Sequence, residues 1–366
     1  MKESNNVILT LDAGGTNLVF NAIGTSNIVV SSTILPAASQ SIDEFIEKLI
    51  SGFHAINKKH HNSARAISFC FPGPADYQKG VIGDLENLPI FKGGIPLKQI
   101  LENEFNIPVF INNDGDLFTL GEAIDGLLPQ INTQLKNNGN TKQYRNLLGV
   151  TLGTGTGAGI VINKELLIGD NSAGAEINRS NNFLNPEMSI EETLSIRGIK
   201  HLFCEEAGVE PELCPEPYEI YEIGIGKRAG NTDAAIKAWE TFGIVLGHTL
   251  ANANTLIDGL IVIGGGLSGA HSLFLPKAIE TMNGKFSKID GESVQRLETF
   301  AYNFENPDCM RDFLKKDEIE INVPNSNKIA LYSPTKKIGV GISKLGTSKA
   351  VAVGAYAFAN SNINTK

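Results

Sequence analysis

Positive charge is scarce and scattered in this chain. Its 31 lysines and arginines stand against 40 aspartates and glutamates, for a formal net charge of −9. No stretch gathers the basic stripe that a nucleic-acid backbone demands, so nucleic acid is excluded as an expected partner. Cysteine is rare too. Cys70, Cys204, Cys214 and Cys309 lie far apart, which argues against a disulfide framework and against the close pairs that grip zinc, and fits reduced thiols in the cytoplasm. The six histidines form no i, i+4 ligand pair, so no protein-held transition metal is expected. Long apolar runs are missing as well. Polar Met1–Asn6 leads into an apolar stretch too short for a secretory leader, and the uncharged stretch after Asp258 is broken by Gly264–Gly266, Ser268 and Gly269. A soluble protein without a membrane partner is expected.

The length, 366 residues, exceeds one comfortable core and favours two domains. Val7–Leu11 and Leu18–Ile23 read as strands around the glycine turn Ala13–Asn17. Ser41–His54 has helical spacing, with Ser41 as N-cap and Glu44 completing a capping box. Ala66–Phe71 is a strand closed by the turn Pro72-Gly73-Pro74. Val109–Asn112 is another, leading into a helix over Asp116–Ile124, while Asn132–Arg145 reads as a solvated connection. Later, Ala234–Leu256 and Ser272–Met282 are helical around the strand Gly259–Ile263. Asn283–Asn327 is polar and reads as an insertion, and Ser348–Ala359 as a small apolar helix packed on one lobe.

Within this order one pattern occurs twice. Leu9–Thr16 and Val150–Gly157 each run a strand into a Gly/Thr turn, a degenerate internal repeat that suggests two related halves facing one nucleotide. Asp12-Ala13-Gly14-Gly15-Thr16-Asn17 has glycines that let backbone N–H groups approach phosphate oxygens, a hydroxyl, and a carboxylate for Mg²⁺. A tight hairpin is the commoner origin of a single Gly-Gly pair, and the recurrence at Gly153–Gly159 favours function. Strand and turn, not helix, follow Gly159, so a dinucleotide fingerprint fails there, and a Walker A loop is absent. Gly264–Gly269 does match G-x-G-x-x-G between strand and helix; an NAD-dependent oxidoreductase and a close approach to a nucleotide's adenosine end are both open on that motif, the second being preferred. Asp114, at a strand's carboxyl end, suits the acceptance of a hydroxyl proton, although from spacing alone a helix N-cap is the commoner role. Glu176 is open between sugar ligand and solvated loop acid.

Taken in order, Asp12–Asn17, Phe71-Pro72-Gly73-Pro74, Asn112-Asn113-Asp114, Gly153–Gly159, Gly174-Ala175-Glu176 and Ile263–Gly266 resemble the ROK family of sugar kinases and sugar-responsive repressors over most of the chain. The resemblance implies an α/β, two-lobed actin-like ATPase fold, a ribonuclease H-like duplication with an interlobe cleft. The expected division is 1–113 plus about 346–366 as the smaller lobe and 114–345 as the larger, with the insertion at 283–327. It further implies Asp114 as catalytic base, and Gly73, Asn87, Asn113, Asp114, Glu176 and Glu192 on the sugar side. Asp12, Gly14, Gly15, Thr16 and Asn17, with Gly153, Thr154, Gly155 and Thr156, match the phosphate side, Asp12 meeting Mg²⁺ through water; Gly265 and Gly266 match the adenosine side.

Three departures from the family pattern matter, one of them the length of the segment Asn283–Asn327. Ala175-Glu176-Ile177-Asn178-Arg179 replaces Gly-Glu-Ile-Gly-His, and no cysteine follows before Cys204, so no structural zinc is expected and Arg179, at the histidine's place, enters the sugar-side set. Asp116 stands where the family usually has asparagine. Repressor members place a winged helix-turn-helix ahead of the first glycine motif, for which the residues before Asp12 leave no room. The reading is therefore ATP-dependent phosphorylation of a hexose, glucose first, at its terminal hydroxyl, with sugar and ATP as partners and a homodimer compatible with the sequence. An N-acetylhexosamine kinase and a non-catalytic sugar sensor are the alternatives.

Overall fold

The structure is a computed structural model that describes residues 7–13, 17–24, 29–85 and 88–363. The chain divides into two compact units, residues 1–126, 159–175 and 345–366 forming the first and residues 127–158 and 176–344 the second.

In the first unit the strands β1 (Val7–Ala13), β2 (Asn17–Ile23) and β3 (Val29–Pro36) form an antiparallel meander, and β4 (Ala64–Cys70) and β5 (Val109–Asn112) extend it in parallel, in the order β3-β2-β1-β4-β5. Strand alternation decides which side chains go where. Leu9, Leu11, Ile67, Phe69 and Ile111 turn to one face and bury against helix α1 (Ile42–Lys59) through Phe45, Leu49, Phe53 and Ile56, and against helix α2 (Leu97–Phe105) through Leu97 and Leu101. Phenylalanine dominates this core, with Phe20 and Phe53 edge-to-face at 5.0 Å. Ser41 caps α1 as expected, accepting from Glu44 N–H, while the Glu44 carboxylate accepts from Gln40 N–H at 2.7 Å instead of from the cap's own amide.

The opposite face meets the C-terminal helix, Thr347–Ile363, where Ile8, Ala66 and Phe110 pack with Tyr356 and Ala359. That helix crosses α3 (Asp114–Asp125) at two glycines. A Cβ on Gly121 would lie 1.9 Å from Ala350 O, and one on Gly354 would lie 1.9 Å from Leu117 O. The backbones therefore touch directly, which is why α3 and the C-terminal helix carry so many small residues.

The second unit begins with α4 (Leu127–Asn137), which corrects the expectation of a solvated connection from Asn132: Leu127, Leu128, Ile131 and Leu135 make a buried helical stripe, and the connection starts only after Asn137. Strands β6 (Leu147–Leu152) and β7 (Thr156–Ile162) flank the second glycine turn, the chain leaving the unit along β7. Helices α5 (Ile196–Ala207), α6 (Pro217–Gly224) and α7 (Thr232–Ile257) precede β8 (Leu260–Gly264) and α8 (His271–Met282). After them come β9 (Phe300–Asn303), α9 (Pro307–Leu314) and β10 (Lys337–Ile342). The sheet runs β7-β6-β8-β10-β9, with β6, β8, β10 and β9 parallel.

Trp239, Phe242 and Phe274 fill the core between α7 and α8. The polar segment 283–327 is partly woven into the unit: β9 pairs with β10, and Phe313 of α9 is buried. Its first hairpin, Lys285–Ser287 with Ser293–Gln295, is fastened by Arg296, which lies over the Phe286 ring and donates to His248 Nδ1, while Phe183 stacks on the other ring at 3.8 Å.

Since the α3 crossing leaves no room for a side chain, Gly354→Ala is expected to lower stability by about 1–3 kcal/mol, the usual range for overpacking, in a denaturant melt. An unchanged midpoint would show that the two helices separate without cost.

Candidate functional site

Along the face of the first sheet that meets the C-terminal helix, the side chains change from apolar to polar in strand direction. Ile8 and Ala66 come first, then Thr10, Ser68 and Phe110, then Asp12, Cys70 and Asn112. Cys70 pairs with Asn112 in register, and extending the β1–β4 register sets Asp12 beside Cys70. Neighbouring strands are about 4.8 Å apart, so these residues form one row at the carboxyl ends of the parallel strands. The Cys70 thiol registers both acids: its pKa is pushed well up by burial first, then by the charges of Asp114 and Asp12. Thr10 Oγ1 and Ser68 Oγ behind this row, and Asn112 Nδ2 within it, are buried without a hydrogen-bond partner among the described residues.

Asn113, not Asp114, caps α3. Its side chain accepts from Gly115 N–H at 2.7 Å, and its extended backbone places Asp114 as the first helical residue. Asp114 Oδ1 shares the same N–H at 3.0 Å. Asp114 is an exposed residue, yet enough protein surrounds its carboxyl that desolvation raises its pKa above the ordinary carboxylate value, against the Gly115 hydrogen bond that lowers it. Gly73 is exposed just beyond β4, where Tyr77 Oη donates to Phe71 O at 2.9 Å to fix the turn. Asn17, exposed, opens β2. Gly14, Gly15, Thr16 and Asn87 lie outside the described residues.

The second unit brings two of the predicted motifs side by side. Gly265 has φ +85°, and a Cβ there would lie 2.2 Å from Leu152 O, so the third glycine motif rests on the residue that leads into the turn Gly153–Gly155. Within that turn Thr154 is exposed, whereas Thr156 is committed internally, its hydroxyl donating to Leu194 O at 2.5 Å and its N–H to Glu191 Oε2 at 3.0 Å. Glu176 and Arg179 are exposed at either end of a short 3₁₀ turn, after Ala175 at φ +63°. Glu192 is held by Arg197 through contacts of 2.6 and 3.1 Å, which lower its pKa.

Sequence reasoning missed two groups here. Glu191 and Arg197 grip the second glycine turn and the neighbouring Glu192, a role that only the tertiary contact reveals. Tyr218, Tyr221 and Trp239 join Pro217, Gly266 and Leu267 around a cavity of about 110 Å³, where Trp239 Nε1 is buried without a hydrogen-bond partner among the described residues. The chain's single tryptophan was the available signal for that cavity.

For magnesium the fit is to Asp12, a hard oxygen donor. Among the described residues no cluster of three His, Cys, Asp or Glu could enclose a cation, and Mg²⁺ ordinarily keeps several waters and takes phosphate oxygens, so a single carboxylate suffices. No described helix is long and apolar enough to cross a membrane.

The model of the ROK family matches residues 8–294. A crystal structure of glucokinase from Parabacteroides distasonis is 46% identical and superposes with a TM-score of 0.88 over 99% of both chains. A glucokinase of Halalkalibacterium halodurans is 29% identical over 72% of this chain and 82% of its own length. An N-acetyl-D-glucosamine kinase of Photobacterium profundum is 26% identical over 73% and 87%. The fold is accordingly the actin-like, hexokinase-type α/β duplication that the motif order implied.

Gly265→Ala is expected to weaken nucleotide binding and lower the melting temperature together, because the added methyl must displace Leu152 and with it the second turn. Calorimetry with MgADP beside a thermal melt checks both; retention of wild-type affinity would separate the third motif from the nucleotide.

Proposed function

The chain belongs to the ROK family and is an ATP-dependent sugar kinase, and we propose that it transfers the γ-phosphoryl group to the terminal hydroxyl of a hexose, glucose first, with Asp114 as general base. The observation that carries this reading is the pair of carboxylates at one sheet edge. Asp12 and Asp114 both act on the Cys70 thiol, while Asn113 takes over the capping that would otherwise occupy Asp114. A carboxylate that is raised in pKa on an exposed residue suits a hydroxyl acceptor that must lose its proton late in phosphoryl transfer. Asn113 Nδ2 is a donor for a sugar hydroxyl, and Gly73, Asn87, Glu176, Arg179 and Glu192 complete the proposed sugar side.

On the nucleotide side, Gly14, Gly15, Thr16 and Asn17 with Gly153–Gly155 and Thr154 present backbone N–H groups and hydroxyls to phosphate oxygens. Thr156 serves the turn from within. Asp12 would hold Mg²⁺ through water, and the cation would supply neutralisation of the charge that develops on the transferred phosphoryl group. Gly265, Gly266 and the cavity at Tyr218, Tyr221 and Trp239 receive the adenosine end, the indole N–H supplying a donor. Use of free ATP places the enzyme in the cytoplasm.

A second reading, an N-acetylhexosamine kinase, is favoured by the Photobacterium relative and by Arg179, a long cationic side chain where the family pattern has histidine. A sugar screen scored by ADP release separates the two readings, and a non-catalytic sensor would bind sugar without any release.

Asp114→Asn is expected to lower kcat by about 10²–10⁴, the usual contribution of general-base catalysis, while sugar still binds. Near-normal turnover would remove Asp114 from its role. Because a base works deprotonated and this one is raised, kcat/KM is expected to fall on acidification at a higher pH than an unperturbed aspartate, near 3.9, would give.

A further inference from the structure

The second glycine turn is gripped by a carboxylate that no motif announced. Thr156 N–H donates to Glu191 Oε2 at 3.0 Å, and a Cβ on Gly155 would lie 2.7 Å from the same oxygen, so this carboxylate lies directly against the turn. Two further bonds run between the turn and the segment carrying Glu191: Thr156 Oγ1 to Leu194 O at 2.5 Å and Ile196 N to Gly153 O at 2.8 Å. That segment is itself anchored. Buried Asn182 donates to Thr193 Oγ1 at 2.8 Å, and Ser195 caps α5.

A negative charge here is a liability for a turn that receives phosphate. At close range two like charges repel, the more strongly where water is partly excluded. Arg197 answers this charge: Nη2 donates to Glu191 Oε1 at 3.2 Å while the guanidinium also holds Glu192 at 2.6 Å. Glu191 is the better enclosed of the two acids, with 26% of its side chain exposed against 44% for Glu192.

We propose that Glu191 is a positioning residue for the nucleotide: it clamps the Thr156 amide so that the backbone of Gly153–Gly155 stays set for phosphate oxygens, and Arg197 neutralises the clamp so that it does not repel them. The inference rests on the kinase reading of this turn. It makes the acid's hydrogen bond useful and its charge harmful, and these two properties can be separated by substitution.

The test is calorimetric affinity for a non-hydrolysable ATP analogue with Mg²⁺, without sugar, and thermal melts on every variant. Glu191→Ala removes the acceptor and is expected to raise Kd about tenfold, as the loss of a charge-assisted hydrogen bond implies. Glu191→Gln keeps an acceptor oxygen and is expected to stay within about threefold of wild type on the same scale. Arg197→Met leaves the acid uncompensated and is expected to raise Kd, and adding Glu191→Gln to it is expected to restore affinity. A merely structural clamp would not show that rescue. If Glu191→Ala melts early, the Gln and Met variants carry the test alone. Wild-type affinity in Arg197→Met, or no rescue in the double variant, overturns the inference. Absence of sugar-dependent ADP release from the wild-type protein would instead overturn the kinase reading itself.

Discussion

Two carboxylates share one end of the first unit's sheet, and among the described residues neither is paired with a cation. Like charges so placed repel, and burial first, then the charges of Asp114 and Asp12, push up the pKa of the Cys70 thiol between their strands. Such an edge is costly unless a ligand uses it. The rest of the first unit can be understood as its support: the phenylalanine core fixes β1, β4 and β5 from one side, and the glycine crossing of α3 with the C-terminal helix fixes the start of α3 from the other. Asn113 then decides how Asp114 is employed, since a helix start needs one capping oxygen and Asn113 supplies it.

The second unit solves a different problem with the same materials. For the proposed contact with phosphate its turn has to keep one backbone conformation, and a bare glycine loop would have many others to occupy. Leu152 against Gly265 restrains one end and Glu191 with Leu194 the other, so the freedom that glycine brings is removed by neighbours instead of by side chains of the turn itself. Thr154 and Thr156 look equivalent in sequence but part company here, one exposed and one consumed.

What the sequence made legible follows from local rules. Strand alternation at Val7–Leu11, the capped periodicity after Ser41 and the glycine turns each carry their cause within a few residues, and the paired turns were enough to suggest the duplication. What stayed hidden depends on partners far away. The Asn132 region looked solvated because its polar face is real, while its buried stripe begins five residues earlier at Leu127. The insertion looked foreign because β9 joins the sheet only through β10, some forty residues later. Glu191 and Glu192 are adjacent acids with no local distinction; only the fold places one on the turn and leaves the other to Arg197.

The central claim is that the Asp114 carboxyl is raised in pKa and faces the acceptor alcohol. Carbon-13 NMR of aspartate-labelled protein, titrated with and without glucose, tests it directly, the Asp114 signal being assigned by its loss in Asp114→Asn. The account predicts a titration above the ordinary aspartate value and a signal that moves when glucose is added. An ordinary titration that glucose leaves untouched would contradict it.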